Sequence, residues 1–313
     1  MNGLTGSPAL KVQVLREGIR YTDALGRAAA HSMPNFYPYR FKAGEHDPTG
    51  KGLATIPYLI NTRDGTEIRI LGSGDSPWHV EGDQDSGYNL IDDRSGQSVP
   101  VEFEPLDPWM THKTADGLPL AQAGLQTHGD MLVINVAPGC EYFLHKHEGQ
   151  SMRCGFCAYG APDERTAHLG QVTGRVEIPE RTLERMALGL HAIVAQTTIR
   201  HIYLVGGSLT DGRKEGERFL QLARFVKKEN RYGIPVSLGS GAIPDDMIEQ
   251  FHRESLVDFV CFNLEMWSEP LFAKICPGKN RYVGYPRWIE SLETAVRVFG
   301  RGRVYSAMVA GIE

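Results

Sequence analysis

Hydrophobic and polar positions follow two different patterns along this chain, and the change between them lies near residue 125. Beyond it, short apolar runs rich in branched residues alternate with stretches whose apolar residues recur at helical spacing. This pattern predicts five strands, at 131–136, 201–205, 234–238, 258–265 and 304–309. It predicts four helices, at 179–196, 211–229, 244–251 and 287–299. Alternation of apolar strands with helices is typical of parallel βα units.

In the first 125 residues, Gly, Pro, Asp and Ser interrupt short strand-like runs. Strands are predicted at 54–61, 67–71 and 99–103, with Asp64–Gly65 as a hairpin turn between the first two. One early helix is expected over 12–29, whereas 73–97 is turn-rich and has only weak periodicity. Residues 1–125 are therefore predicted to form a small β-rich region, whose role does not follow from these residues.

The five strands after residue 125 favour an open or partial barrel over a dinucleotide-binding sheet, because the chain has no G-x-G-x-x-G run. In either architecture ligands bind at the carboxyl ends of the strands. Unusual residues follow all five predicted strands at that edge: Cys140, Gly206-Gly207-Ser208, Gly239-Ser240-Gly241, the Asn263/Glu265 pair and Gly311. This coincidence predicts a ligand site within residues 126–313.

Composition and charge make several classes of protein unexpected. With 313 residues and 41% hydrophobic content, the chain is long enough for one large domain and a smaller one. Its net charge of −5 includes no basic block, so nucleic acid is not expected as a partner. No apolar run approaches the roughly 20 residues of a membrane span, and the N-terminus lacks the apolar core of a signal peptide. We expect a cytoplasmic protein without a membrane partner.

Three of the five cysteines, Cys140, Cys154 and Cys157, lie in one stretch of the chain. In a reducing compartment this cysteine content favours metal or redox chemistry over a disulfide framework. Thiolates suit both zinc and iron–sulfur clusters, and a set of three leaves one metal position open for a small molecule. The C-x-x-C pair leaves both metals possible, since His145 or His147 could complete a structural zinc site. The position at a barrel edge favours the iron–sulfur cluster.

The run Cys154-Gly155-Phe156-Cys157-Ala158-Tyr159 resembles the cysteine loop of the radical SAM superfamily, most of all its biotin-synthase-like branch. That family carries C-x3-C-x2-C after the first barrel strand, usually with an aromatic residue before the third cysteine, where Phe156 stands here. The resemblance covers about 131–313. It departs at the first cysteine, since thirteen residues separate Cys140 from Cys154, which indicates an insertion in the loop. His145 and His147 lie in that insertion and are expected to be solvated.

The resemblance also implies roles for the other residues at the strand ends. Gly206-Gly207-Ser208 stands where the family has a turn that binds the methionyl amino group, with Ser208 in place of the commoner acid. Asn263 and Glu265 resemble the pair that holds the ribose hydroxyls, and Gly311 belongs to a loose match with the adenine-pocket motif. From the residues alone, Gly206-Gly207-Ser208 could instead be a plain strand-to-helix turn. Asn263 and Glu265 could instead be a buried polar pair whose hydrogen bonds are made by neighbouring backbone.

The resemblance implies an α/β fold, a partial TIM-type barrel that is either truncated after its fifth strand or closed unusually. Cys140, Cys154 and Cys157 would bind three irons of a [4Fe–4S] cluster whose fourth iron binds S-adenosylmethionine. Reductive cleavage of that cofactor would give a 5′-deoxyadenosyl radical, which abstracts hydrogen from a small-molecule or peptide substrate. A reductant such as flavodoxin or ferredoxin is implied as a partner.

No residue selects the reaction subclass. The alternative is a zinc- or iron–sulfur-stabilised binding module that does not cleave S-adenosylmethionine. The remaining cysteines, Cys261 on the inward face of the fourth predicted strand and Cys276 in a predicted loop, are too few for a second cluster.

Overall fold

The computed structural model describes residues 7–35, 37–137, 139–157 and 175–312. The predicted motif residues Ala158, Tyr159 and Glu313 lie outside this described part of the chain. The chain forms two compact units, Met1–Asp107 and Pro108–Glu313, so that residues 108–125 pack with the second unit. Within the described residues, every helix is too short or too polar to cross a membrane.

The first unit contains a five-stranded antiparallel sheet in the order β4-β3-β7-β6-β5. Its elements are α1 (Ser7–Glu17), α2 (Asp23–Ala28), β1 (Tyr39–Arg40), β2 (Leu53–Ala54), β3 (Leu59–Thr62), β4 (Glu67–Arg69), β5 (Trp78–Asp83), β6 (Gly87–Asp92) and β7 (Gln97–Phe103). The predicted hairpin is confirmed, because β3 pairs with β4 and Gly65 has a φ of 80°. Small buried cores of this kind are stabilised mainly by apolar burial, here around Trp78, Ile60 and Leu90.

One prediction for this unit was wrong, and two strands in it were not predicted. The single helix over 12–29 is two helices, because α1 is followed by Gly18 at a φ of 76°. A Cβ at Gly18 would lie 2.7 Å from the carbonyl oxygen of Leu71, so both backbone shape and close packing require glycine there. The segment 73–97 contains β5 and β6, joined by a turn in which the Asp83 carboxylate accepts a hydrogen bond from the Ser86 N–H at 2.8 Å.

The second unit is an α/β structure whose sheet has the order β15-β14-β13-β12-β9-β8. Its strands are β8 (Leu125–His128), β9 (Met131–Asn135), β10 (Lys146–His147), β11 (Gln150–Ser151), β12 (His201–Val205), β13 (Val236–Ser240), β14 (Phe259–Phe262) and β15 (Val304–Tyr305). Its helices are α3 (Glu180–Gln196), α4 (Gly212–Glu229), α5 (Asp245–Arg253), α6 (Glu269–Ile275), α7 (Pro277–Tyr282) and α8 (Tyr285–Phe299).

All five predicted parallel strands are present, and each of the last four pairs in parallel with the predicted strand before it. The order has no reversal, unlike the doubly wound sheet of dinucleotide-binding domains. The strand predicted at 258–265 ends earlier, as β14, and the last strand is only β15. The short antiparallel strand β8 and the helices α6 and α7 were not predicted.

The core of the second unit lies between one face of the parallel sheet and its helices. Side chains from both layers form one buried cluster, which includes Leu204, Leu238, Val260, Phe262, Leu190, Phe219, Phe251 and Trp288. Burial of each such side chain contributes about 1.5–3 kcal/mol. The predicted helix at 211–229 begins where expected because the Asp211 side chain accepts hydrogen bonds from the N–H groups of Arg213 and Lys214.

Candidate functional site

The loops after β9 and β12 are joined at the carboxyl edge of the sheet, where the sequence places Cys140 and Gly206-Gly207-Ser208. A Cβ at Gly207 would lie 2.6 Å from the Cα of Cys140 and still closer to the carbonyl oxygen of Gly139. Only glycine permits this approach. The Glu141 N–H donates to the Ser208 carbonyl oxygen at 2.9 Å, and the Glu141 carboxylate accepts from the Thr210 N–H at 2.6 Å. The structure therefore brings the first cysteine and the glycine turn together.

The Cys140 thiol lies where these two loops meet. Burial raises its pKa to about 12, against hydrogen bonds from the backbone of Tyr142 and Ser208, which lower it. The charges of the buried Glu215 carboxylate and of the nearby Cys154 contribute to this raised pKa. A buried thiol of this kind loses its proton when a nearby positive charge stabilises the thiolate. A bound iron or zinc ion would supply that charge.

Cys154 lies against Cys276, a neighbour that the sequence did not indicate. Cys154 is 8% exposed, and Cys276, predicted in a loop, is fully buried at the junction of α6 and α7. Backbone hydrogen bonds hold the two segments together, from Gly155 N–H to the Ile275 oxygen at 2.8 Å and from Gly278 N–H to the Met152 oxygen at 2.9 Å. The hydrogen bond between the thiols lowers the pKa of Cys154 and raises that of Cys276.

Cys157 follows in a tight turn, with its N–H donating to the Cys154 oxygen at 3.1 Å. Phe156, between the two cysteines, is 40% exposed. His145 and His147 have side chains 43% and 42% exposed, in agreement with the expected solvated positions. Among the described residues, no three Cys, His, Asp or Glu side chains already surround one point where a metal ion would sit. The soft thiol donors of this loop nevertheless fit an iron–sulfur cluster chemically.

The polar pair after β14 is held by contacts with the last strand and with α7. The Asn263 Oδ1 accepts from the Cys261 thiol at 2.8 Å and from the Ala307 N–H at 3.2 Å. Glu265 has a φ of 73°, and its N–H donates to the Ala307 oxygen at 2.9 Å. Neighbouring backbone thus satisfies part of this pair. The Glu265 carboxylate accepts from the Lys279 ammonium at 2.9 Å.

Gly311, the last of the predicted site residues, has a φ of 89°, and a Cβ there would meet open space. The structure places it in the segment after β15, beyond the isolated bridge between Glu265 and Met308. Its backbone conformation favours glycine. In the order of the sheet, β14 and β13 lie between β15 and β12. The segment with Gly311 therefore lies near the polar pair after β14, and further from the glycine turn after β12.

Sequence reasoning missed three charged residues that the structure buries near this edge. Glu215 is 2% exposed and accepts hydrogen bonds from the N–H groups of Leu209, at 2.8 Å, and Gly241, at 2.5 Å. Burial raises the pKa of Glu215, and the charge of Arg218 lowers it. Arg218 is fully buried and donates to the Gly207 oxygen, and Lys279 is 8% exposed. Glu215 and Arg218 interrupt the apolar face of α4 at helical spacing, which is the signal that could have revealed them.

Known proteins resemble this chain in sequence and in structure. No family model matches the chain. It is 25% identical, over 316 aligned positions, to bacteriochlorophyllide c C-7(1)-hydroxylase of Chlorobaculum limnaeum, and the match covers 97% of this chain and 70% of that protein.

Two solved structures are also similar, with low TM-scores. Methylornithine synthase has a TM-score of 0.40 at 15% identity, over 65% of this chain and 54% of that one. A radical SAM methyltransferase from Sphaerobacter thermophilus has a TM-score of 0.39 at 15% identity, over 74% of this chain and 58% of that one. The chain therefore spans little more than half the length of these two solved chains. The relative that matches along 97% of this chain is a hydroxylase, and the chain is accordingly an enzyme whose cysteine loop resembles that of the radical SAM superfamily.

Proposed function

We propose that this enzyme binds a [4Fe–4S] cluster and S-adenosylmethionine at the carboxyl edge of its parallel sheet and abstracts hydrogen from a bound substrate. The observation that carries the proposal is the junction at Gly207, where the glycine turn and Cys140 share one backbone contact. When bound, the two cofactors supply one-electron cleavage of the sulfonium bond and a 5′-deoxyadenosyl radical. The protein supplies position, charge and exclusion of competing reactants.

Cys140, Cys154 and Cys157 are the proposed cluster ligands. Cys140 lies in the loop that follows β9, and Cys154 and Cys157 occupy one turn further along the same loop. The long connection between them lets the thiols close around an inorganic unit at modest entropic cost. Three thiolate ligands would leave one iron free to bind S-adenosylmethionine.

The remaining residues are proposed to hold the rest of the cofactor. The backbone of Gly206 and Gly207, with the Ser208 hydroxyl, would bind the methionyl end, and Asn263 with Glu265 would bind the ribose hydroxyls. Phe156 and Gly311 are proposed to contact the cofactor on the side of the cysteine loop and of the adenine respectively.

The sheet that carries this site is proposed to be a partial TIM-type barrel. The consecutive order of the five parallel strands, with one face packed against the helices, supports this proposal. Substrate and an electron donor such as flavodoxin or ferredoxin would approach at the carboxyl edge.

The substrate is proposed to be apolar. Trp267, which follows Glu265 by two residues, is 69% exposed, and Met308, paired with Glu265 in a parallel bridge, is 45% exposed. A bound apolar substrate would cover these two side chains. Because the name of the relative specifies a bacteriochlorophyllide, such a compound is the first to test, by a quenching of tryptophan fluorescence that is larger in wild type than in Trp267→Phe.

The function itself is tested by anaerobic reconstitution with iron and sulfide. The purified chain should turn brown, bind about four irons and release 5′-deoxyadenosine when given reductant and S-adenosylmethionine. Zinc in place of iron, with no cleavage under these conditions, would refute the proposal and favour the metal-stabilised binding module.

A further inference from the structure

A buried cation, Lys279, lies between the cysteine loop and the polar pair after β14. Its side chain is 10% exposed, and its ammonium donates to the Glu265 carboxylate at 2.9 Å and to the Asn263 carbonyl oxygen at 2.6 Å. The ammonium also lies 4.7 Å from the centre of the Trp288 ring. Three different kinds of partner thus fix one charge at one place.

The backbone around Lys279 is attached to the cysteine loop. Gly278, the residue before it, donates to the Met152 oxygen at 2.9 Å, and a Cβ at Gly278 would lie 2.7 Å from the Tyr142 ring. Cys276, three residues before Lys279, contacts Cys154. Through this segment the ammonium is held near a proposed cluster ligand, Cys154, and it binds a proposed cofactor ligand, Glu265.

Burying an ammonium costs several kcal/mol unless carboxylate and hydrogen-bond partners offset the lost hydration. Glu265 provides that offset, and its bond to Lys279 restricts the rotation of the Glu265 side chain. A carboxylate has about four lone-pair sites, so Glu265 can hold Lys279 and a ligand hydroxyl at the same time. A positive charge near an iron–sulfur cluster favours the reduced form, because reduction adds negative charge.

We propose that Lys279 is a positioning residue that links the two halves of the site: it orients Glu265 towards the ribose hydroxyls and holds a positive charge beside Cys154 that favours reduction of the cluster. This inference rests on the proposed function. The proposed function gives roles to the cysteine loop, the glycine turn and the polar pair, and none to Lys279.

The test compares full-length Lys279→Met and Lys279→Arg with wild type and with Lys274→Met, an exposed lysine on α6 as the matched control. After anaerobic reconstitution, the midpoint potential of the cluster is measured by redox titration with EPR detection, and S-adenosylmethionine affinity by calorimetry. Lys279→Met should have a more negative potential and about tenfold or more weaker binding, as expected for loss of a charged hydrogen bond. Lys279→Arg should keep the potential of wild type, and Lys274→Met should match wild type in both measurements.

A Lys279→Met protein that retains both the potential and the affinity of wild type would overturn the inference. If that variant does not fold, Glu265→Gln with Lys279→Met removes both buried charges, and wild-type affinity in this double variant would equally overturn it. Failure of the proposed function itself shows in wild type, as a chain that binds no cluster, and is thereby distinguished from failure of the role of Lys279.

Discussion

Replacement of Glu215 by alanine tests how the loops of the candidate site are held in place. This buried carboxylate accepts hydrogen bonds from Leu209 in the loop after β12 and from Gly241 in the loop after β13, at 2.8 and 2.5 Å. The side chain itself comes from α4. One residue therefore connects a helix with two loops that carry the carboxyl edge of the sheet.

The magnitude follows from these two contacts. A buried N–H group that loses its acceptor costs about 1–3 kcal/mol, so two such groups cost about 2–6 kcal/mol. This is a large share of the roughly 5–15 kcal/mol that stabilises a typical domain. Glu215→Gln retains one carbonyl oxygen as an acceptor and should recover about half of the loss. Glu217→Ala, at an exposed position on the same helix, should change stability by less than about 0.5 kcal/mol.

Urea unfolding followed by far-UV circular dichroism measures these differences, with separate transitions fitted for the two compact units. S-adenosylmethionine binding to the reconstituted variants reports whether the loops remain in place. If Glu215→Ala unfolds at the same urea concentration as Glu217→Ala, the reasoning that Glu215 holds the two loops is refuted.

Three further predictions concern the cysteines, the glycine turn and the surface. Cys140→Ser should lose bound iron while Cys276→Ser retains it, because Cys276 is fully buried behind Cys154; iron content and visible absorption of the reconstituted proteins decide this. Gly207→Ala should weaken S-adenosylmethionine binding and destabilise the fold by about 1–3 kcal/mol, because its Cβ would lie 2.6 Å from the Cys140 Cα. Finally, the pairing with Arg224 lowers the pKa of Glu254 to about 2. Its contribution is therefore present above pH 4.5 and lost as the pH falls through about 2, and it is below about 1 kcal/mol because the pair is partly exposed. Acid unfolding of Glu254→Gln should lack this slope.

The cysteine and glycine predictions each have a control within the chain. His145→Ala should retain iron like Cys276→Ser, and an essential His145 beside a dispensable Cys140 would show that the ligand assignment is wrong. Gly155→Ala is the control for Gly207, since its Cβ would lie 3.8 Å from the Ile275 oxygen, an ordinary contact. Equal losses in the two glycine variants would contradict the argument from close approach.

The parallel strands could be predicted because the signal for each is local. Branched apolar residues define 131–136 and 201–205, and the Asp211 cap marks the start of a helix within the neighbouring residues. The site edge followed from this order alone, since parallel strands end on one side of a sheet. The two strands β5 and β6 were missed because Gly, Asp and Ser surround them and their apolar runs are short.

The contacts made across the fold could not be predicted. Cys276 meets Cys154, and Lys279 meets Glu265, only because α6 and α7 fold back against the cysteine loop. No periodicity in the sequence carries that information. Glu215 is different, since a carboxylate on the apolar face of a helix is visible in the sequence, and its position in that pattern alone indicates a buried partner.

The cysteine loop is fastened at both of its ends, at Cys140 by the glycine turn and at Met152 and Gly155 by the segment before and within α7. The small hairpin of β10 and β11 lies between these anchors. An insertion in this hairpin would leave both anchors of the proposed metal-binding loop in place. The number of residues between the cysteines is then a poor measure of the distance between their sulfur atoms. A sequence search for related enzymes should allow any number of residues between Cys140 and Cys154.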